Sequence, residues 1–387
     1  MDFDLDEQQQ QVRELAARIF GDLADHQSQR KLETAASDDG VASDRFDPKL
    51  WSAVADAGLL GLALPEEHGG AGLGLVESCV VIEEAGRAAA PVPVTAATVW
   101  GALPVAQFGS DELRGTWLER AASGDAVLSA AWSETGDGAH PAVTAAAAGT
   151  SGAWRLTGML ASVPVGMRAD AVVVPASDGT GRGLFLVELA DGASGVRRQR
   201  QEATDGRVEA LLELDGVEVG PKSVLVAPGP AGEEALRWCT ERATAALCVE
   251  IAGACKAALD LTARYAAERV QFGKPIATFQ AVGQRAADAY IDTEAVRLTA
   301  WQAAWRLAHE LPATAEVAVA KFWADDGAQR VVHAAQHIHG GVGVDRDYPV
   351  HRYYLLVKHL APMLGGSTAS LLRLGDALAG DPAPASA

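Results

Sequence analysis

The sequence predicts an α+β multidomain protein in which an all-α segment, an antiparallel β-domain and a second helical bundle follow one another. Three observations predict it. Apolar residues recur at helical spacing from residue 4 to about 125. Near residue 126 the period changes to short runs punctuated by Gly, Asp and Pro. After "VAPGPAGEE" helical patterning returns and holds to about residue 378. The boundaries read this way are 1–125, 126–228 and 229–379, with a Pro/Ala/Ser tail at 380–387 that has nothing to bury and is expected to be disordered.

In the first segment, "DPKLWSAVADAGLLGLALP" has an acidic start, apolar residues at helical spacing and a Gly-Pro finish. The glycines of "PEEHGGAGLG" at 65–74 do not match GxGxxG, and no strand clearly precedes them, so a turn is expected rather than a phosphate cradle. In the middle segment "AVLSAAWSE", "AVTAAAAG", "AWRLTGMLAS", "DAVVVPAS", "GLFLVEL" and "EALLELDGVEV" read as strands. No internal repeat is present.

Composition narrows the function. The chain has 387 residues, 49% of them hydrophobic, enough for a large core. A net charge of −19 argues against nucleic-acid and anionic membrane surfaces. Cys79, Cys239, Cys248 and Cys255 show no CxxC spacing and read as small core residues. The N-terminal "MDFDLDEQQQQVRELAARIF" lacks a signal-peptide pattern, and no run is long enough to span a bilayer, so the cytoplasm is the expected compartment.

Three stretches carry candidate chemistry. "HAAQHIHGG" sets His333 and His337 one turn apart with His339 behind, but Ala334 stands where HExxH needs Glu, so helix-end packing or ligand contact is favoured over a metal. In "RVQFGKPIATFQ", Arg269 ends a helix, Gly273 and Pro275 make a turn, and Phe279 and Gln280 open the next helix. That stretch reads either as a plain helix connection or as an anion and ring site, with guanidinium for phosphate, Gln for hydrogen bonds and Phe for packing. In "ATAALCVEIAGACKAALD", Glu250 is a lone acid on an otherwise apolar helix face, with no cation three or four residues away.

"RVQFGKPIATFQ" resembles the R-x-Q-F-G-x-P-I-x-x-F-Q signature of the acyl-CoA dehydrogenases, and "HGGVGVDRDYPVHRYY" their second, GG-x-G signature. "LPEEHGGAGLGLVE", "WSETG" and "WRLTG" also fit, so the resemblance covers nearly the whole chain. It implies a C-terminal four-helix bundle and FAD bound between subunits of a tetramer. It implies that Arg269, Gln271 and Phe272 meet a neighbouring subunit's FAD, with Phe279 and Gln280 beside them. Gly340 and Gly341, preceded by Gln336 or His337, would approach its adenine half, and Trp132 and Ser133 would line the flavin ring. Where the family has Trp-x-Thr, this chain has Ser162, Val163 and Pro164, and proline has no N–H to donate.

The implied reaction removes the α-proton of an acyl-CoA thioester while the β-hydrogen leaves as hydride, so it needs a positioned carboxylate. The family's usual glutamate lies in a late E-G-T motif. The matching stretch here is "PMLGGSTAS", with Leu364 or Gly365 at that place and no acid between Asp347 and Asp376. The alternative position early in the first bundle helix falls on Ala243. Glu250 lies seven residues later on almost the same face and is the first candidate base; Glu241, beside Arg242, is the second. Chains lacking the E-G-T glutamate resemble one half of actinobacterial heterotetramers that act on steroid side chains. The resemblance implies a bulky acyl-CoA substrate and electron-transfer flavoprotein as partner. A catalytically silent subunit that completes another chain's FAD site, or an acyl-carrier-protein-linked dehydrogenase, are the alternatives.

Overall fold

The computed structural model describes residues 3–38, 45–133, 141–149, 152–190 and 192–380. The tail expected to be disordered therefore falls outside the described residues from 381 onward. The helices that precede the sheet are α1 (Glu7–Leu23), α2 (His26–Asp38), α3 (Pro48–Asp56), α4 (Leu75–Arg87), α5 (Leu103–Phe108) and α6 (Asp111–Ala122). The strands of the middle segment are β1 (Leu128–Ala130), β2 (Val143–Ala148), β3 (Ala153–Pro164), β4 (Ala171–Ser177), β5 (Arg182–Glu188), β6 (Val196–Glu202), β7 (Val208–Val219) and β8 (Val224–Val226). Then come α7 (Pro230–Glu268), the two-residue strands β9 (Val270–Gln271) and β10 (Lys274–Pro275), α8 (Gln280–Ala308), α9 (Thr314–Phe322), α10 (Ala328–His339), α11 (Val350–Leu360) and α12 (Ser367–Gly380).

Local chemistry sets the helix starts. Asp6 and Gln9 form a reciprocal capping box on α1. Asp47 accepts from the first amides of α3, and Pro48 at its first position has no N–H to leave unsatisfied. The "PEEHGG" stretch is a short 3₁₀ turn, Glu66–His68, closed by Gly69 at φ 78°.

By internal contact the chain forms two compact units. One comprises residues 43–78 and 92–243, the other residues 1–42, 79–91 and 244–387. This division follows packing rather than chain order, because the C-terminal part of α4 lies against α7.

In the unit that holds the sheet, the strand order is β6-β7-β3-β2-β4-β5-β8, with β1 beside β4. The antiparallel expectation needs one correction: β1 pairs with β4 in parallel, as does β2 with β4 at one position. β1 enters from a helix rather than from a hairpin, so no turn constrains its direction. β6, "VRRQRQE", was not read as a strand because its charged residues hide the apolar alternation. Leu156, Leu160, Val163, Leu212 and Leu214 fill the core. A register shift between Leu160 and Val163 reverses the alternation and turns Val163 inward.

In the second unit α9 and α10 form one rod through a π-helical turn at Trp323–Gly327. α8 packs on this rod, α12 lies on α9, and α11 lies on α10. α4 crosses α7 with backbones in contact, since a Cβ on Gly86 would stand 2.1 Å from the Glu250 carbonyl oxygen and one on Gly253 2.1 Å from that of Glu83. The small residues on the Glu250 face therefore accommodate a helix. Arg352, 3% exposed at its side chain, pairs with Glu33 and His26 and ties α2 to α11. Among the described residues no helix is long and apolar enough to cross a membrane.

Candidate active site

The "RVQFGKP" stretch folds as a minimal hairpin between α7 and α8. Gln271 pairs with Lys274, which leaves Phe272 and Gly273 as the two turn residues, at φ 53° and 79°. Positive φ at both central positions matches the right-handed twist of a two-residue hairpin, and it costs a non-glycine residue roughly 1–2 kcal/mol. Phe272 is 93% exposed, its ring centroid 6.1 Å from that of Phe279 in an edge-to-face arrangement. Lys274 Nζ sits 4.6 Å above Phe279. Gln271 donates to the Val270 carbonyl at 2.8 Å, and the Arg269 guanidinium donates no hydrogen bond among the described residues. Arg269, Gln271, Phe272, Phe279 and Gln280 thus share one end of the unit, where this chain offers them few partners.

The second signature lies close by. The α10 end reaches α7 through His339, whose ring stacks on Tyr265 at 4.3 Å. Its Nδ1 donates to the Ala335 carbonyl at 2.8 Å, leaving Nε2 as an acceptor that is buried and unpartnered among the described residues. Burial holds its pKa below the ordinary imidazole value. Gln336 is half-buried and His337 exposed. Gly340 closes the helix at φ 59°, a conformation that favours glycine, and a Cβ on Gly341 would meet nothing within 4 Å. His333 faces the Tyr354 ring edge-on at 5.1 Å instead of joining the other histidines.

In the sheet-containing unit Trp132 is buried, with an Nε1–H that has no acceptor among the described residues, and Ser133 is half-buried. The rest of "WSETG", from Glu134, lies outside those residues. The Ser162–Pro164 stretch keeps its polar groups to itself. Ser162 donates to Glu209, and the Pro164 carbonyl accepts from Ser129 at 2.6 Å. Ala243 is fully buried, its carbonyl accepting from Trp100 at 3.2 Å. Glu241 is half-buried, next to Arg242, whose guanidinium covers Trp238 at 3.8 Å.

The other base positions lie in the second unit. Glu250 is 5% exposed, on the turn of α7 that α4 crosses. Leu364, at the E-G-T place, is 7% exposed and held at φ 60°. Arg373 donates to its carbonyl at 2.8 Å, buried Lys321 donates to the Ala361 carbonyl, and Asp325 accepts from the Ser367 amide. The loop is clamped at three points around an apolar side chain.

Sequence reasoning missed Glu83. Its carboxylate accepts from Trp301 Nε1 at 3.2 Å, and burial raises its pKa above the ordinary 4.5 against the pull of that bond and of Arg297 and Arg87. The signal was present in "CVVIEEAG", a pair of acids inside an apolar helix. Between pH 4.5 and the raised value the folded chain holds a proton that the unfolded chain has lost, so Glu83 makes stability fall as pH rises through that window. Glu83→Gln keeps an acceptor for Trp301 and removes the titration. Urea midpoints at acidic and neutral pH are expected to show the variant gaining on the parent as pH rises.

The three-part fold, the exposed R-x-Q-F-G hairpin and the glycine-terminated α10 describe one class of protein. Residues 6–125 match the family model for the acyl-CoA dehydrogenase N-terminal domain, residues 231–378 match that for the C-terminal domain, and the chain belongs to the acyl-CoA dehydrogenase family. It is 39% identical to acyl-CoA dehydrogenase FadE27 of Mycobacterium tuberculosis, covering 99% of this chain and 100% of that protein. FadE28 of the same organism is 34% identical over 84% of this chain and 91% of its own length. Among solved structures, a variant of the Tcur3481–Tcur3483 steroid ACAD superposes with a TM-score of 0.87 at 43% identity, covering 97% of this chain and 98% of that one. The ChsE4–ChsE5 complex of M. tuberculosis gives 0.91 at 39% identity, covering 99% and 100%.

Proposed function

We propose that the chain is one subunit of an FAD-dependent acyl-CoA dehydrogenase heterotetramer that oxidises a bulky acyl-CoA thioester of the steroid side-chain class. The observation that carries this reading is the hairpin tip. A 93% exposed phenylalanine, an uncommitted guanidinium and a Gln amide project from a rigid two-residue turn, and a flavin dinucleotide held by a second chain would cover them. The open space at Gly341 fits close approach of the same cofactor. The likeness to the Tcur3481–Tcur3483 steroid ACAD and to the ChsE4–ChsE5 complex, each made of two proteins, supports a second kind of chain as partner.

FAD, when bound, supplies the acceptor for the β-hydride and passes the electrons to an electron-transfer flavoprotein. Arg269 and Gln271 would hold its phosphates and Phe272 would pack on it. Trp132 and Ser133 would border the ring, with Trp132 Nε1 available as a donor. Glu250 is the first candidate for the carboxylate that takes the α-proton, and Glu241 the second.

A second reading, a silent subunit that completes the partner's cofactor site, draws on different observations. Ser162 and Pro164 present no free donor to a flavin, and Leu364 replaces the late acid. Co-purification with a candidate partner acyl-CoA dehydrogenase chain tests the shared part of both readings. The pair is expected to be yellow and to bleach with a steroid acyl-CoA, and Arg269→Ala in this chain to lower flavin content about tenfold or more. A yellow, active pair that ignores Arg269→Ala would overturn the hairpin's role.

A further inference from the structure

A cavity of about 360 Å³ lies within the bundle unit, between the α1–α2 corner, the end of α4, the middle of α7 and the start of α11. We propose that it binds a small organic anion carrying a phosphate or carboxylate group, separately from the dehydrogenation site. Its volume is at the small end of the roughly 300–1,000 Å³ typical of ligand pockets.

Three arginines line it, Arg87, Arg264 and Arg352. Arg352 is committed internally to Glu33, at 3.0 and 3.2 Å, and to His26. Arg264 forms no hydrogen bond or ion pair among the described residues. Arg87 stands 3.5 Å from Glu84 and 3.8 Å from Asp260, too far for good hydrogen bonds. Two planar forks with unfilled donors therefore reach one cavity, and that geometry matches an oxyanion.

Glu84 and Asp260 lie within ion-pair distance of Arg87, but neither fills its donors with a close hydrogen bond. Asp260 is held by Lys256 at 2.5 and 2.7 Å, and Asp25 accepts from the Ser28 amide at 2.6 Å at the start of α2. His26 Nε2 is turned to the Asp347 carbonyl. α11 begins at the wall, at Pro349, with no side-chain cap, so the positive end of its dipole adds to the attraction.

Calorimetry of the full chain with inorganic phosphate and with succinate, at constant ionic strength, tests the site. At least one probe is expected to saturate at one per chain, and the tighter of the two names the group recognised. Arg264→Ala and Arg87→Ala are each expected to weaken it about tenfold or more. Arg264→Gln, closer in shape to arginine, should show the same loss, and Arg285→Ala, exposed near the start of α8, none. Absence of saturation by either probe up to the order of 10 mM, or wild-type binding by both Arg264→Ala and Arg87→Ala, overturns the proposal.

Discussion

Glu250→Gln in the assembled, flavin-loaded enzyme is expected to lower kcat by about 10²–10⁴-fold, the range general-base catalysis contributes, with flavin content unchanged. The α-proton of a thioester is weakly acidic, and only a carboxylate held still and shielded from water takes it efficiently. By sequence spacing the late E-G-T place falls on Leu364 or Gly365 and the alternative on Ala243, and none of these side chains can accept a proton. Glu250 is the acid on the same helix face as Ala243, two turns along, and the crossing with α4 fixes its turn. Glutamine keeps the shape and loses the base, so a binding role predicts a change in KM and a catalytic role a change in kcat. Exchange of the α-hydrogen with deuterated solvent, measured without turnover, separates proton removal from hydride transfer. If Glu250→Gln keeps full turnover and full exchange, the base is Glu241 or a residue of the partner, and Glu241→Gln distinguishes those two.

The order of helices, strands and helices was legible because hydrophobic period is a local property. The turn between α7 and α8 was equally legible, since Gly273 and Pro275 mark it, but not its closure as a two-stranded hairpin around Phe272 and Gly273. Tertiary effects were not. β6 carries Arg197, Arg198 and Arg200 on a partly buried strand, and only its pairing with β7 makes it a strand. The parallel placement of β1 depends on a partner forty residues away. Glu250 looked unusual for its small neighbours, Ala246, Gly253 and Ala257, and those fit substrate room or helix contact equally well from sequence. The carbonyl contacts of Gly86 and Gly253 assign Gly253 to helix contact. Glu83 became visible as a half-buried acid bonded inside the fold only once Trp301, more than two hundred residues later, was beside it.

Gly253→Ala and Gly86→Ala are each expected to destabilise the fold by about 1–3 kcal/mol, toward the upper end because the obstacle is backbone. Each new Cβ would stand 2.1 Å from a carbonyl oxygen of the facing helix, with no flexible side chain to move aside. The helices must separate, and contacts along the buried face of α4, including Val80 and Ile82, are lost with them. Helix propensity alone would favour alanine by roughly 0.5–1 kcal/mol, so Gly283→Ala on α8, where nothing lies within 4 Å, should be neutral or slightly stabilising. Because one separation relieves both clashes, the double variant should cost less than the sum of the two. Urea unfolding of the four proteins measures this. A neutral Gly253→Ala would mean that the helices cross with more room than these distances allow. The same separation moves the turn that holds Glu250, so kcat should fall along with stability if that carboxylate is the base, and activity should be spared if it is not.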